Sequence, residues 1–242
     1  MTNHPPPFRI DVFTLFPRMF DGPFNESILQ RAKDRNLIDI HIHDLRDWST
    51  DRHRTADDTP YGGGAGMVMS APLIVTAVES ILGDALSTTP VVILSASGRR
   101  FHQDVAHHFA QGQGMVLICG HYEGIDERAA ETLNAVQYTV GDYVLTGGEL
   151  PAMVIVDAVS RLRSGVIDAS SIVEESHTSG MLEYPHYTRP DEYRDQRVPV
   201  VLRSGHHHRI ASWRRQRSLE RTARQRPDLL TRSQFKSMST DD

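Results

Sequence analysis

Cysteine occurs once in the 242 residues, at Cys119, so no internal disulfide is available and a reducing compartment is expected. That thiol ends the apolar run Met115-Val-Leu-Ile118, where it reads as a small core side chain before it reads as a nucleophile. No apolar run comes near the roughly 18 residues that a membrane helix needs, and the proline-rich start Met1–Phe8 lacks the apolar stretch of a secretory signal. The expectation is therefore a cytoplasmic protein with no membrane association. Two common nucleotide signatures are also missing. No glycine loop is followed by the Lys-Ser/Thr pair of a phosphate loop, and no Gly-x-Gly-x-x-Gly joins a strand to a helix. A structural metal is not expected either: one cysteine would leave the site to histidines, and His206-His-His208 are adjacent and cannot share a helix face.

What is present is enough for a packed core. At 39% hydrophobic and 24% charged, the chain fits one large domain or one domain with a small companion. Its net charge of −5 is unevenly placed: nine arginines between Arg203 and Arg232 face only Glu220 and Asp228, a local excess of +7 against −12 elsewhere. An arginine-rich end on an otherwise acidic protein points to phosphate contacts and hence nucleic acid, with a solvated, salt-bridged helix as the alternative.

Hydrophobic periodicity sets out the elements. Phe8–Phe16 alternates as a strand ended by Pro17, Ser27–Asn36 reads as a helix, and isoleucines at period two mark a strand over Ile38–Leu45. The segment from Asp51 ends in Pro60-Tyr-Gly-Gly-Gly-Ala-Gly-Met67 and reads as a long functional loop. Helices are expected over Ser70–Leu82 and Phe101–Gln111, with buried strands at Val91–Leu94 and Met115–Ile118. From Glu149 to about Arg163 a helix follows, with Leu150, Met153, Val154, Ala158 and Leu162 as its expected apolar stripe. Apolar strands alternating with helices imply an α/β fold with a parallel sheet covered on both faces. Residues from Ile167 to Ser179 read as a linker, Met181–Pro199 as loop, and a helix from about His206 to Ser218 with a second up to Pro227 completes a small α-helical C-terminal unit.

Ligands of parallel sheets sit beyond the carboxyl ends of the strands. Those ends here are Leu94-Ser95 onward, Gly120 onward, and Val140-Gly-Asp-Tyr-Val-Leu145, with Gly141, Asp142, Tyr143 and Val144 inside the last. Glycine-ended strands without a phosphate motif suit a ligand held by main-chain hydrogen bonds and apolar contact, such as an adenosine moiety, and S-adenosylmethionine fits. Any single glycine could instead merely make a turn.

The chain resembles the bacterial tRNA (guanine-N1)-methyltransferases of the TrmD family, in the SPOUT superfamily. The likeness rests on Thr14-Leu-Phe-Pro17, His53–Met67, Cys119–Arg128, Gly141–Met153, Tyr184-Pro-His-Tyr-Thr-Arg-Pro190, Ser204-Gly205, Trp213–Leu219 and Arg226–Leu230. The resemblance implies a SPOUT domain over 1–166 with a deep trefoil knot, a linker over 167–180, and a helical tRNA-binding domain over 181–242. It implies S-adenosylmethionine in the knot loops, including Gly147, Gly148 and Pro151, and a homodimer with shared active sites. It further implies methylation of N1 of the guanosine at tRNA position 37, beside the anticodon. Magnesium dependence is also implied, although the sequence shows no dedicated carboxylate cage.

Guanine N1 carries a proton and is a poor nucleophile, so the chemistry needs a carboxylate to remove that proton and a cation to meet charge gathering on O6. By the resemblance the cation is Arg161, whose plainer role would be an i,i+4 pair with Asp157. The base is matched by Glu175, counted back from Gly180, where the family usually has aspartate; Glu174 is its neighbour to exclude. Glu123 corresponds to an acidic residue near the guanine, or else caps the helix that follows. Arg189 and arginines 214, 215 and 217 are the expected RNA contacts. A SPOUT enzyme acting on ribosomal RNA and a non-catalytic RNA-binding protein are the rival readings.

Overall fold

The computed structural model describes residues 6–168, 175–177 and 180–230. They fall into two compact units, divided between Ile167 and Asp168. The first unit is built on a five-stranded parallel sheet in the order β2-β1-β6-β5-β7. Its elements along the chain are β1 (Phe8–Thr14), α1 (Ser27–Asp34), β2 (Ile38–Asp44), the short pair β3 (Asp57–Asp58) and β4 (Val68–Met69), and α2 (Ala71–Leu82). Then follow β5 (Val91–Arg100), α3 (Gln103–Ala110), β6 (Gly114–Cys119), α4 (Glu127–Thr132), β7 (Val136–Thr139) and α5 (Glu149–Ser160). Side chains alternate across the sheet and feed two cores. One gathers Ile10, Val12, Leu117 and Ile155, the other Phe13, Ile74, Ile93 and Ile118. Helices thus cover both faces, as the continuous apolar strands require.

In this unit three sequence expectations change. Strand β5 does not end at Leu94: its pairing with β7 shifts register between Leu94 and Arg99 and then resumes, with Arg100 opposite Thr139. Ser95–Gly98 is a bulge inside a strand, a feature that apolar patterning misses because the residues beyond it are polar. The stripe on α5 also differs. Ala152, Ile155, Val156 and Val159 are its buried face, while Leu150 and Val154 are 49% and 50% exposed. The helix is apolar on nearly every side, so periodicity has no contrast from which to choose a face. Lastly, the segment expected to be pure loop contains β3, paired antiparallel with β4.

Central β1 carries a buried acid, Asp11, only 1% exposed. Burial opposes its ionisation, but the His43 imidazole at 2.8 Å and the Arg9 guanidinium at 2.7 Å prevail and hold its pKa below the usual carboxylate value. A folded-state pKa below the unfolded value of about 3.9 stabilises fully above that pH, and the contribution fades as pH falls through the folded value. Asp11→Asn should cost about 1.5–3 kcal/mol near neutrality, and the gap from the parent chain should narrow below pH ~4. Urea denaturation across that range measures it; a gap constant with pH would show that the pairing contributes nothing.

In the second unit, β8 (Glu192–Tyr193) and β9 (Gln196–Arg197) form a small hairpin within the expected loop, and α6 (His207–Gln225) is one unbroken helix of 19 residues. The expected break at Ser218 does not occur: Ser218 is buried, and its carbonyl accepts from the Thr222 hydroxyl at 2.6 Å. No glycine or proline interrupts the stretch. Most of the expected linker, Glu174 included, lies outside the described residues. Among the described residues no helix is long and apolar enough to cross a membrane.

Candidate functional site

The β5 bulge after Leu94 and the loops that follow Cys119 and Thr139 enclose a pocket of about 410 Å³. That volume lies in the roughly 300–1,000 Å³ range of small-molecule sites. Of the residues expected there, Leu94, Ser95, Gly120, Val140, Tyr143, Val144, Leu145, Gly147, Gly148 and Pro151 line it. Gly141 and Asp142 do not: the Gly141 amide meets the Thr139 hydroxyl at 3.3 Å, and Asp142 pairs with Arg100.

Two main-chain segments close the pocket floor. The Gly148 N–H donates to the Gly120 carbonyl at 2.7 Å, and a Cβ on Gly148 would lie 2.7 Å from Cys119 Cα. Any larger residue would therefore push the 140–148 loop off the end of β6. Cys119 beneath is fully buried, and burial, reinforced by the Glu149 carboxylate, pushes its thiol well above the ordinary value. It is a neutral core side chain, not a nucleophile.

The glycine-rich segment approaches the same pocket through its far end. Met67 carbonyl accepts from the Glu123 amide at 3.0 Å, and Met69 exchanges main-chain bonds with Gly124 and Asp126 at 2.9 and 3.0 Å. These bonds hold the wall turn 121–126, while Tyr61 at the tip of the loop is 99% exposed. Glu123 is exposed and lines the pocket. It does not cap α4. That task falls to Asp126, whose carboxylate accepts from the Arg128 amide at 3.0 Å.

Arg161 ends α5 as its C-terminal cap, its amide bonded to the Asp157 carbonyl at 3.1 Å. It follows Leu150, Val154 and Asp157 at helical spacing, on the stripe turned away from the core. Glu175 belongs to the second unit and is partly buried. In that unit Arg189 and Arg215 are exposed. The other two arginines are not free-standing: Arg214 lies over the Tyr184 ring at 4.7 Å, and Arg217 lies over Trp213 at 5.9 Å while pairing with Glu220 at 2.5 Å. Part of the expected phosphate-binding set therefore also organises the aromatic residues beside α6.

Sequence reasoning assigned no part to Thr14, His121 or Glu149. Glu149 is nearly completely buried, accepts from the Thr14 hydroxyl at 2.8 Å, and faces His121 Nδ1 at 4.0 Å. The available signal was that each stands in a quoted motif; an acid in the first turn of a helix ordinarily reads as an exposed dipole partner.

A family model described as tRNA (Guanine-1)-methyltransferase TrmD matches residues 8–232. Among similar proteins, one from Thermomicrobium roseum is 59% identical over 225 residues, covering 93% of this chain and 84% of the relative. One from Chloroflexus aggregans is 56% identical over 93% of this chain and 88% of its own, and one from Pelotomaculum thermopropionicum is 53% identical over 92% and 89%. All three bear the name tRNA (guanine-N(1)-)-methyltransferase.

Proposed function

The chain belongs to the tRNA (guanine-1)-methyltransferase family, and from that premise we propose how its pocket and its second unit divide the work. It is an enzyme that methylates N1 of guanine in tRNA, and the target in our reading is position 37, next to the anticodon. The observation that carries the reading is the pocket at the carboxyl ends of three neighbouring strands, floored by main chain drawn together at Gly120 and Gly148. Its walls combine exposed peptide groups with the apolar faces of Leu94, Val140 and Leu145, a suitable lining for an adenosine. S-adenosylmethionine held there supplies an electrophilic methyl group on a sulfonium. Calorimetric titration of that donor, followed by mapping of the methylated nucleotide in digested tRNA, tests the reading. Expected are donor binding and 1-methylguanosine at position 37; modification at another tRNA position or of ribosomal RNA would reject it.

Around that pocket, residues 1–166 serve as the catalytic domain, 167–180 as a linker and 181–242 as the tRNA-binding domain. The register shift in β5 and the close approach of the 140–148 loop to the end of β6 support threading of this part of the chain as a trefoil knot, against the usual rule for folds. The solvent-facing stripe of Leu150 and Val154 supports a homodimer that covers it. Arg161 on the same stripe then falls at the subunit boundary, where a shared active site needs it. Glu175 takes the N1 proton, Arg161 meets the charge on O6, and Glu123 positions the base from the pocket wall. Among the described residues no group of three or more His, Cys, Asp or Glu is placed to hold a metal ion, so magnesium is assigned no protein ligands and no step. The activity belongs in the cytoplasm, where tRNA is processed.

Arg189 and Arg215, both exposed, are the clearest phosphate contacts, while Arg214 and Arg217 combine contact with packing. Arg215→Ala should weaken tRNA binding several-fold and reduce the slope of log K against log salt by about one. Filter binding over a salt series measures this; an unchanged slope assigns Arg215 to a solvated face.

A further inference from the structure

An imidazole on the pocket wall, His121, and a buried acid behind it, Glu149, are not used in the scheme above. Glu149 opens α5 with a side chain 2% exposed, one oxygen accepting from the Thr14 hydroxyl at 2.8 Å and the other facing His121 Nδ1 at 4.0 Å. That ring nitrogen is buried and has no hydrogen-bond partner among the described residues. A β-bridge between His121 and Gly147 and the Gly148-to-Gly120 hydrogen bond bring acid and ring to the same place. Gly147 stands between them, and a Cβ there would fall on both the Glu149 carboxylate and the His121 ring. Glycine at 147 keeps the line between the two groups open.

A carboxylate buried this deeply with one hydroxyl donor is under-satisfied, and so is a buried ring nitrogen without a partner. The two needs are complementary. An Nδ1–H directed at the carboxylate oxygen 4.0 Å away, a charge–dipole contact longer than a hydrogen bond, eases both needs and favours one tautomer and orientation of the ring. Phe16 and Tyr122 hold the ring from two sides, with centroids 4.8 and 5.1 Å away.

We propose that Glu149 is a positioning residue that acts through His121. The carboxylate keeps a proton on Nδ1, locks the ring, and thereby sets the 120–124 turn that forms one wall of the donor pocket. The effect falls chiefly on donor binding and reaches methyl transfer only through Glu123, which stands in the same turn. The inference rests on the donor-pocket reading given above.

Long-range proton–nitrogen NMR on the full chain with labelled histidine tests it, the His121 signal being identified by its loss in His121→Asn. Expected is a proton on Nδ1 in the parent chain and the Nε2–H form in Glu149→Met, with Glu149→Gln, which keeps an acceptor oxygen, restoring Nδ1–H. The Kd for S-adenosylmethionine should rise about tenfold in Glu149→Met and in His121→Asn and no further in the double variant, with kcat at saturating donor within about threefold. A parent chain protonated only on Nε2 overturns the pair, even if Glu149→Met does not fold. So does a folded Glu149→Met that binds the donor as tightly as the parent. A parent chain that shows Nδ1–H but binds no donor overturns the pocket reading instead.

Discussion

Arg161→Ala should lower kcat for tRNA methylation by about 10²–10³-fold while the Kd for S-adenosylmethionine stays within about threefold. As the N1 proton departs, negative charge spreads onto O6, and a fixed guanidinium there stabilises the transition state more than the neutral ground state. A loss confined to kcat is the signature of such a contact. Arg161→Lys should recover only part of the activity, since an ammonium lacks the planar fork of donors. The competing explanation is mechanical. Arg161 stands at the C-terminus of α5, where its cation meets the negative end of the helix dipole, so a purely structural role would appear as a fall in thermal stability with kcat spared. Equal kcat values for Arg161→Ala and the parent chain, measured in single turnover, would remove the residue from the chemistry.

Glu175→Gln should reduce kcat by about 10²–10⁴-fold, the range expected for loss of a general base, and Glu174→Gln should leave it nearly unchanged. The amide retains size and hydrogen bonding but cannot accept the N1 proton. Glu175→Asp keeps the carboxylate on a side chain one methylene shorter, so it should support substantial activity. Single-turnover rates at saturating donor and tRNA separate the chemical step from binding. A fully active Glu175→Gln enzyme would rule out that base, and an inactive Glu174→Gln enzyme beside it would transfer the role to the neighbour.

The pocket itself is legible in the sequence. Apolar runs that stop at Leu94 and Cys119, with a third glycine-ended segment at Val140-Gly141, point to parallel strands, and ligands of such sheets gather at one end. The structure adds that Gly141 and Asp142 do not line the cavity and that β5 resumes beyond its bulge. Neither was readable, because both depend on where separated segments pair. The exposed stripe on α5 was misread for a related reason: a helix apolar on most sides reveals its buried face only when its neighbours are in place. Glu149 and Asp11 show the same limit for charge. Each is an ordinary surface-type residue in sequence, and each is buried because Thr14 in one case, and Arg9 with His43 in the other, provide partners close by.

Local composition and pattern by themselves determined the strand–helix alternation, the glycine-rich approach to a ligand, the uneven charge that concentrates arginine at one end, and the family. These are properties of neighbouring residues, fixed by side-chain period, backbone freedom and residue type. Tertiary structure alone decided which apolar face of α5 is covered, that Arg214 of α6 lies over the Tyr184 ring, and that Glu149 and His121 meet across a glycine. Each depends on residues far apart in sequence reaching within a few ångströms, and the burial and pairing energies that select those contacts exist only after the chain has packed.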